Sequence, residues 1–339
     1  FTQIDASAMP ANTRRQCLQH ALAGVAAATV GSSWPRGARA ERMRLRMAVG
    51  GKAGFYYLPL TLAEQLGYFQ AEGLEVAITD FPGGSHALKA ALDGAADVVS
   101  GAYEHTIELQ SRGLSHQAFV LQGRAPQIAM GLSLRASPSL RTVAELRGRR
   151  IGVSAPGSST NMVANYVLAR AGVRPGEVRF VGVGTGLGAL QAFRAGEVDA
   201  MCNIDPVMTV LETRGEIRIV SDTRTHKGAV DLFGGPMPAA CLYAPTDYVE
   251  RHPEVCQALA NAIVRALKWL QTAGPSDIIK AVPESYMLGD RNLYLASFNR
   301  VRDAMALDGL MPEGGPATAL RALASINERV SSGRIDLDK

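Results

Sequence analysis

Residues 150–172, RIGVSAPGSSTNMVANYVLARAG, decide how this chain is read. Arg150-Ile151-Gly152-Val153 is short and β-branched and reads as a strand. Met162, Val163, Tyr166 and Val167 recur at helical spacing, and Gly172 is a helix stop. The stretch between them, SAPGSST, is therefore a strand-to-helix turn. Such a turn carries free backbone N–H groups, here beside three successive hydroxyls, that can meet something negative or strongly polar. The same hydroxyls can also do no more than cap a helix. Both readings are open at this point.

The unit repeats in both directions. Toward the N-terminus, Leu45–Val49 reads as a strand, residues 50–55 as a loop and Leu58–Leu66 as a helix. Leu74–Ile78 alternates as a strand, Gly83-Gly84-Ser85 opens a helix over His86–Leu92, Asp97–Val99 is a short buried strand and Tyr103–Gln110 a helix. Toward the C-terminus follow a strand over Val178–Val183, a helix over Leu187–Ala195 after Gly184-Thr185-Gly186, and a strand over Val198–Asn203. A helix over Pro206–Glu212 and a strand over Ile217–Val220 complete the series. Strands alternating with short helices imply parallel pairing, with helices on the sheet faces. The two blocks echo each other, Leu92-Asp93-Gly94-Ala95-Ala96-Asp97 against Ala195-Gly196-Glu197-Val198-Asp199. From Pro253 the pattern becomes helical. Val255, Leu259, Ile263, Leu267 and Leu270 form one stripe over Pro253–Thr272, and helical patterns continue to residue 330.

At 339 residues, 47% hydrophobic and 19% charged, the chain suits two globular domains of ordinary size. Its net charge of +4 is small, and much of the arginine lies before residue 47, so no nucleic-acid partner is implied. No run reaches the roughly 18 apolar residues of a membrane helix. Residues 1–40 read as a tag remnant followed by an export signal: a basic start from Met9, a short apolar stretch from Ala21 to Val30, and Ala38-Arg39-Ala40 as a cleavage site. Thr13-Arg14-Arg15-Gln16-Cys17-Leu18 resembles a twin-arginine motif. Of the four cysteines, Cys17 leaves with that signal. Cys202, Cys241 and Cys256 have no C-x-x-C spacing, so neither a metal site nor a disulfide framework is expected.

Several short matches now run in order from about residue 44 to 270. They are Tyr57-Leu58-Pro59-Leu60, Gly67-Tyr68-Phe69 with Glu72-Gly73-Leu74-Glu75-Val76, and Gly83-Gly84-Ser85. Gly94 with Asp97, Leu146-x-Gly148-x-x-Ile151-Gly152-Val153 and Ala195-Gly196-Glu197-Val198-Asp199-Ala200 follow. As a series they resemble the periplasmic substrate-binding proteins of ABC importers, in the group that binds nitrate, sulfonates, taurine and thiamine precursors. The resemblance implies an α/β, two-lobed periplasmic-binding-protein fold of type II, with a ligand cleft between the lobes and a helical C-terminal third. Residues 44–135 plus 236–339 would form one lobe and 140–230 the other, with hinges at 135–142 and 222–238. It implies a periplasmic monomer that needs no cofactor. By lobe closure this protein would capture a small anionic solute (sulfonate, carboxylate or nitrate-like) or a pyrimidine-type one. Its partners would be that small molecule and the membrane subunits of an importer. The alternative is an enzyme of the thiamine-precursor type, or another small-molecule enzyme on the same fold. The Cys-rich segment of the eukaryotic thiamine-precursor synthases is missing here. Asn203-Ile204-Asp205-Pro206 also departs from the group, many of whose members carry an aromatic residue before the acidic-Pro turn.

In α/β sheets ligands sit beyond the carboxyl ends of the strands, near helix N-termini. The turns 50–57, 83–85, 101–105, 154–160 and 184–186 occupy such positions. Candidate ligand contacts are therefore Phe55, Tyr56 and Tyr57, the one cluster of three aromatics; Gly83, Gly84 and Ser85; and Tyr103 and Glu104. The second lobe would add Ser154, Gly157, Ser158, Ser159, Thr160 and Asp205. Glu104 or His105 could read an amine or hydroxyl, while Asp205 could instead serve only as a helix cap ahead of Pro206. No G-x-S-x-G, H-E-x-x-H, Walker loop or complete dinucleotide fingerprint occurs, so no catalytic residue and no metal ligand is assigned.

Overall fold

Ten strands, all within residues 42–337, which are those the computed structural model describes, divide into two five-stranded sheets. The twin-arginine and export-signal expectation falls on residues 1–41, outside the described part. The first sheet contains β1 (Met43–Gly50), β2 (Leu74–Phe81), β3 (Val98–Ala102), β4 (His116–Leu121) and β10 (Ala240–Pro245). The second contains β5 (Ile128–Ser133), β6 (Arg150–Val153), β7 (Arg179–Gly182), β8 (Ala200–Ile204) and β9 (Ile217–Asp222).

The two sheets have the same plan. Their orders are β2-β1-β3-β10-β4 and β7-β6-β8-β5-β9. In each, three strands read from the sequence pair in parallel, β1 between β2 and β3, and β6 between β7 and β8. The fourth position is filled by an antiparallel strand contributed from the other end of the chain, β10 in the first sheet and β5 in the second. The chain thus crosses between sheets at 122–127 and returns at 223–239. The first crossing, expected at 135–142, falls earlier because β5 already belongs to the second sheet. Residues 135–142 connect β5 to β6 within that sheet.

The C-terminal third is helical, beginning with Pro253–Thr272. The five stripe residues of that helix are all buried. The helix Arg291–Val301 packs on the helix Val207–Thr213 of the second sheet, while its Tyr294 and Phe298 stack on Phe55 beside the first. This region therefore touches both halves of the molecule. Cys202, Cys241 and Cys256 are buried and unbridged. Among the described residues no helix is long and apolar enough to cross a membrane.

Candidate functional site

The carboxyl end of β1 sets one wall. Gly51 follows it with φ +87°, and a Cβ there would lie 2.3 Å from Thr185 Oγ1 on the second sheet's side, so only glycine lets the two halves approach. The chain then makes a single 3-10 turn, Phe55–Tyr57, whose three rings are buried. They diverge. Phe55 points back to Tyr294, with ring centroids 4.5 Å apart, and serves the core rather than the cleft. Tyr56 and Tyr57 line the space between the sheets.

That space is a small cavity of about 20 Å³, room for about one water. The first half contributes Gly50, Tyr56, Tyr57 and Gly84. The second half contributes the polar residues Ser154, Ser158, Ser159, Thr160 and Thr185, with Ile128 and Ile204 as apolar lining. Hydrogen bonds cross directly from half to half at its edge. Ser85 N–H donates to Ser158 Oγ at 3.0 Å, and Ser85 Oγ donates to the Pro156 carbonyl at 2.8 Å. Gly83 presses against Ala155, where an added Cβ would come within 2.7 Å of the Ala155 Cβ. The halves are closed on each other.

The hydroxyls of the 154–160 turn have separate partners. Thr160 Oγ1 accepts from Ser154 N–H at 2.9 Å and lies 2.8 Å from Ser154 Oγ, tying the strand end to the helix start. Ser158 stands at the N-cap position, yet its side chain makes no capping bond and reaches Ser85 instead. Ser159 lies against the Tyr56 hydroxyl and the Glu104 carboxyl of the opposite half. Gly157 takes φ +82° in the turn and its N–H donates to Asn161 Oδ1; it shapes the loop outside the cavity.

Behind Tyr56 the helix Glu104–Gln110 begins. Glu104 is 3% exposed. Burial holds its carboxyl above the ordinary carboxylate range, with His105 pulling the other way. Burial, with Glu104 nearby, likewise raises the Tyr56 phenol. Three polar atoms of this group, Tyr56 Oη, Glu104 Oε1 and His105 Nε2, are buried without a hydrogen-bond partner. His105 Nδ1 is 3.2 Å from Tyr243 Oη, and its ring edge abuts Gly84, where a Cβ would meet His105 Cε1 at 3.4 Å.

Besides Phe55 and Gly157, two further expected contacts lie elsewhere. Asp205 is fully buried, accepts from Thr209 N–H at 2.6 Å and faces Arg224 at 3.7 Å. Burial pushes its carboxyl up, against Arg224 and the Thr209 N–H. Asp205 therefore starts the helix Val207–Thr213 and neutralises a buried arginine. Tyr103 faces a different cavity of about 190 Å³, roofed by Met311, Ile335 and Leu337. Larger as it is, that cavity is lined by one side of the helix 104–110, β4 and the C-terminal region, so closure of the two sheets does not act on it. Thr185, Ile128 and Ile204 line the cleft but were not among the candidates. Thr185 occupies the fifth strand-to-helix turn and was within reach of the same rule. The two isoleucines carry no signal apart from hydrophobicity. Among the described residues, no cluster of three His, Cys, Asp or Glu could hold a metal ion.

A model of the NMT1/THI5-like family matches residues 54–275. A solved structure from Bordetella bronchiseptica RB50 is 52% identical, superposes with a TM-score of 0.84, and the match covers 88% of this chain and 92% of that one. The alkanesulfonate-binding protein SsuA from Xanthomonas axonopodis pv. citri, bound to MOPS, is 21% identical with a TM-score of 0.64 over 86% of this chain and 96% of its own; it shares the fold. YtlA of Bacillus subtilis, named as a binding protein, is 21% identical over 73% of this chain and 72% of its own length. The 4-amino-5-hydroxymethyl-2-methylpyrimidine phosphate synthase of Schizosaccharomyces pombe is 24% identical over 61% of this chain, and the chain spans 60% of that enzyme.

Proposed function

From the premise that the chain belongs to the NMT1/THI5-like family, we propose that it is an extracytoplasmic solute-binding protein. It closes two lobes on one small polar solute and delivers it to the membrane subunits of an ABC importer. The carrying observation is the cleft itself. Loops at the carboxyl ends of both sheets meet around one small cavity, and hydrogen bonds such as Ser85 to Ser158 join one lobe to the other. The lobes are the first sheet with β10 and the second sheet with β5, hinged at 122–127 and 223–239, while the C-terminal helices lean on both. In this reading the solute-free protein opens about the hinges, and the bound form closes to lobes held slightly further apart than here, the solute's polar groups replacing the direct contacts between them. The alkanesulfonate-binding neighbour and the binding-protein relative support capture without chemistry. The synthase relative supports a second reading, an enzyme on the same fold.

The test is titration calorimetry with small-angle scattering over a panel of sulfonates, nitrate, carboxylates and amino-heterocycles. A stoichiometric complex with a smaller radius of gyration, from which the solute is recovered unchanged, is the expected result. Binding raises the melting temperature by mass action, about 2.7 kcal/mol of stability at a hundredfold excess over Kd. An unchanged radius at saturation counts against closure, and a recovered solute of altered mass establishes the enzyme reading.

A further inference from the structure

We infer that Glu104 selects the solute by accepting a hydrogen bond from an N–H donor on it (an amine, an amidine or a ring amino group), so that a simple oxyanion is not what fills the space beside Tyr56. The inference deepens, and rests on, the solute-capture reading.

Glu104 Oε1 is buried without a partner, and so are the Tyr56 hydroxyl and His105 Nε2. Of the three residues, Tyr56 lines the cavity, Glu104 adjoins its lining residues Tyr56 and Ser159, and His105 adjoins Gly84; orphaned polar atoms so placed are costly unless something brought in from outside meets them. Among the described residues, no lysine or arginine of the cavity lining supplies a cation. Lys52, in the loop after β1, is held by Glu64. Arg224 is buried but taken up by Asp222 and Glu212, at 2.6 and 2.8 Å. Neither lysine nor arginine lines the cavity. The Glu104 carboxyl meets its own backbone N–H at the start of the helix, yet its Oε1 has no hydrogen-bond partner. An oxyanion in the same confined space would confront the carboxylate as a like charge at reduced dielectric. A donor nitrogen instead completes it. The Tyr56 hydroxyl and the His105 ring, each able to donate or accept, suit a ring nitrogen or hydroxyl beside that donor. Ser85 N–H is taken by Ser158 Oγ and Ser158 N–H by the Ala155 carbonyl, which leaves the backbone N–H groups of the two helix starts at 84 and 159–160 for an acceptor at the solute's far end.

The experiment uses matched probes on the wild-type protein and on Glu104→Gln: taurine against ethanesulfonate, 4-aminopyrimidine against pyrimidine, and nitrate alone, by thermal shift and calorimetry. We expect an amino-bearing probe to bind at least about tenfold more tightly than its partner without the amino group. Glu104→Gln should remove that margin, the scale of one charge-assisted hydrogen bond. Tyr56→Phe, which keeps the ring packing, covers the case in which Glu104→Gln does not fold; it should weaken the amino-bearing probe about fivefold. Nitrate or ethanesulfonate binding as tightly as the amino probes, with Glu104→Gln neutral or improving, overturns the inference and leaves solute capture standing. No response to any probe, with an unchanged radius throughout, overturns both.

Discussion

The hydroxyls between Ser154 and Thr160 show how one turn divides its work. Thr160 is structural, because Oγ1 takes the Ser154 N–H at a buried strand end. Thr160→Ala leaves that N–H unmet and should cost about 1–3 kcal/mol in denaturant unfolding. Ser159 makes no cap and faces Glu104, so Ser159→Ala should stay within about 0.5 kcal/mol of wild type in stability while changing solute affinity. Equal losses of stability in the two variants would return the turn to capping alone. Glu104 adds a pH dependence. Its folded-state pKa lies above its unfolded one, so its contribution is fully present below about pH 4 and is lost as pH rises through the raised value. Glu104→Gln should therefore melt higher than wild type at pH 7 to 8, and the gain should shrink toward zero as the pH is lowered to 4. A gain that persists at pH 4 would mean that the charge is not its source.

Among the elements, the return crossing carries the densest electrostatics. Arg224 is completely buried and is surrounded by Asp222, Glu212 and, at 3.7 Å, Asp205. Burial works against its charge, and the neighbouring carboxylates more than restore it. A second arginine, Arg300 from the helix 291–301, also reaches Glu212 and ties the C-terminal region to the second lobe. Arg224→Met strands these carboxylates and should lower stability by about 3–5 kcal/mol in denaturant melts. A loss under 1 kcal/mol would show that the cluster is hydrated and weak. Three strands, β4, β5 and β10, escaped sequence reading. IAMGLS and ACLYAP are buried on both faces in mid-sheet, so they show no period of two, and six residues are too few to separate a strand from a buried helical turn. Pro253–Thr272, twenty residues with one apolar stripe, was legible for the opposite reason.

For the molecule as a whole, closure is limited by glycines at the lobe contact. Gly83 has an extended backbone that alanine can adopt, but its Cβ would press on the Ala155 Cβ and sit 3.2 Å from the Ala155 nitrogen. Neither atom is the tip of a flexible chain. Gly83→Ala should thus fold and melt within about 0.5 kcal/mol of wild type, yet bind at least tenfold more weakly and fail to compact in scattering, a loss of about 1.4 kcal/mol or more. Wild-type affinity in that variant would mean that the bound form is less tightly closed than the structure shows.

Strand-turn-helix units, the five carboxyl-end turns and the stripe of the long helix are local properties. They follow from hydrophobic period and from glycine or hydroxyl residues at fixed places, and they could be read from the chain alone. Tyr56, Tyr57, Gly84 and Ser158–Thr160 were legible as cleft candidates on those grounds. Which of three adjacent aromatics faces the cleft, and whether Asp205 meets a solute or Arg224, depends on partners 19 to 239 residues away in the chain. Side-chain identity does not encode that choice. Packing against Tyr294 turns Phe55 inward, and the buried charge of Arg224 claims Asp205. The antiparallel insertion of β5 and β10 is likewise a tertiary decision, because a strand buried on both faces carries no mark of the sheet it will join.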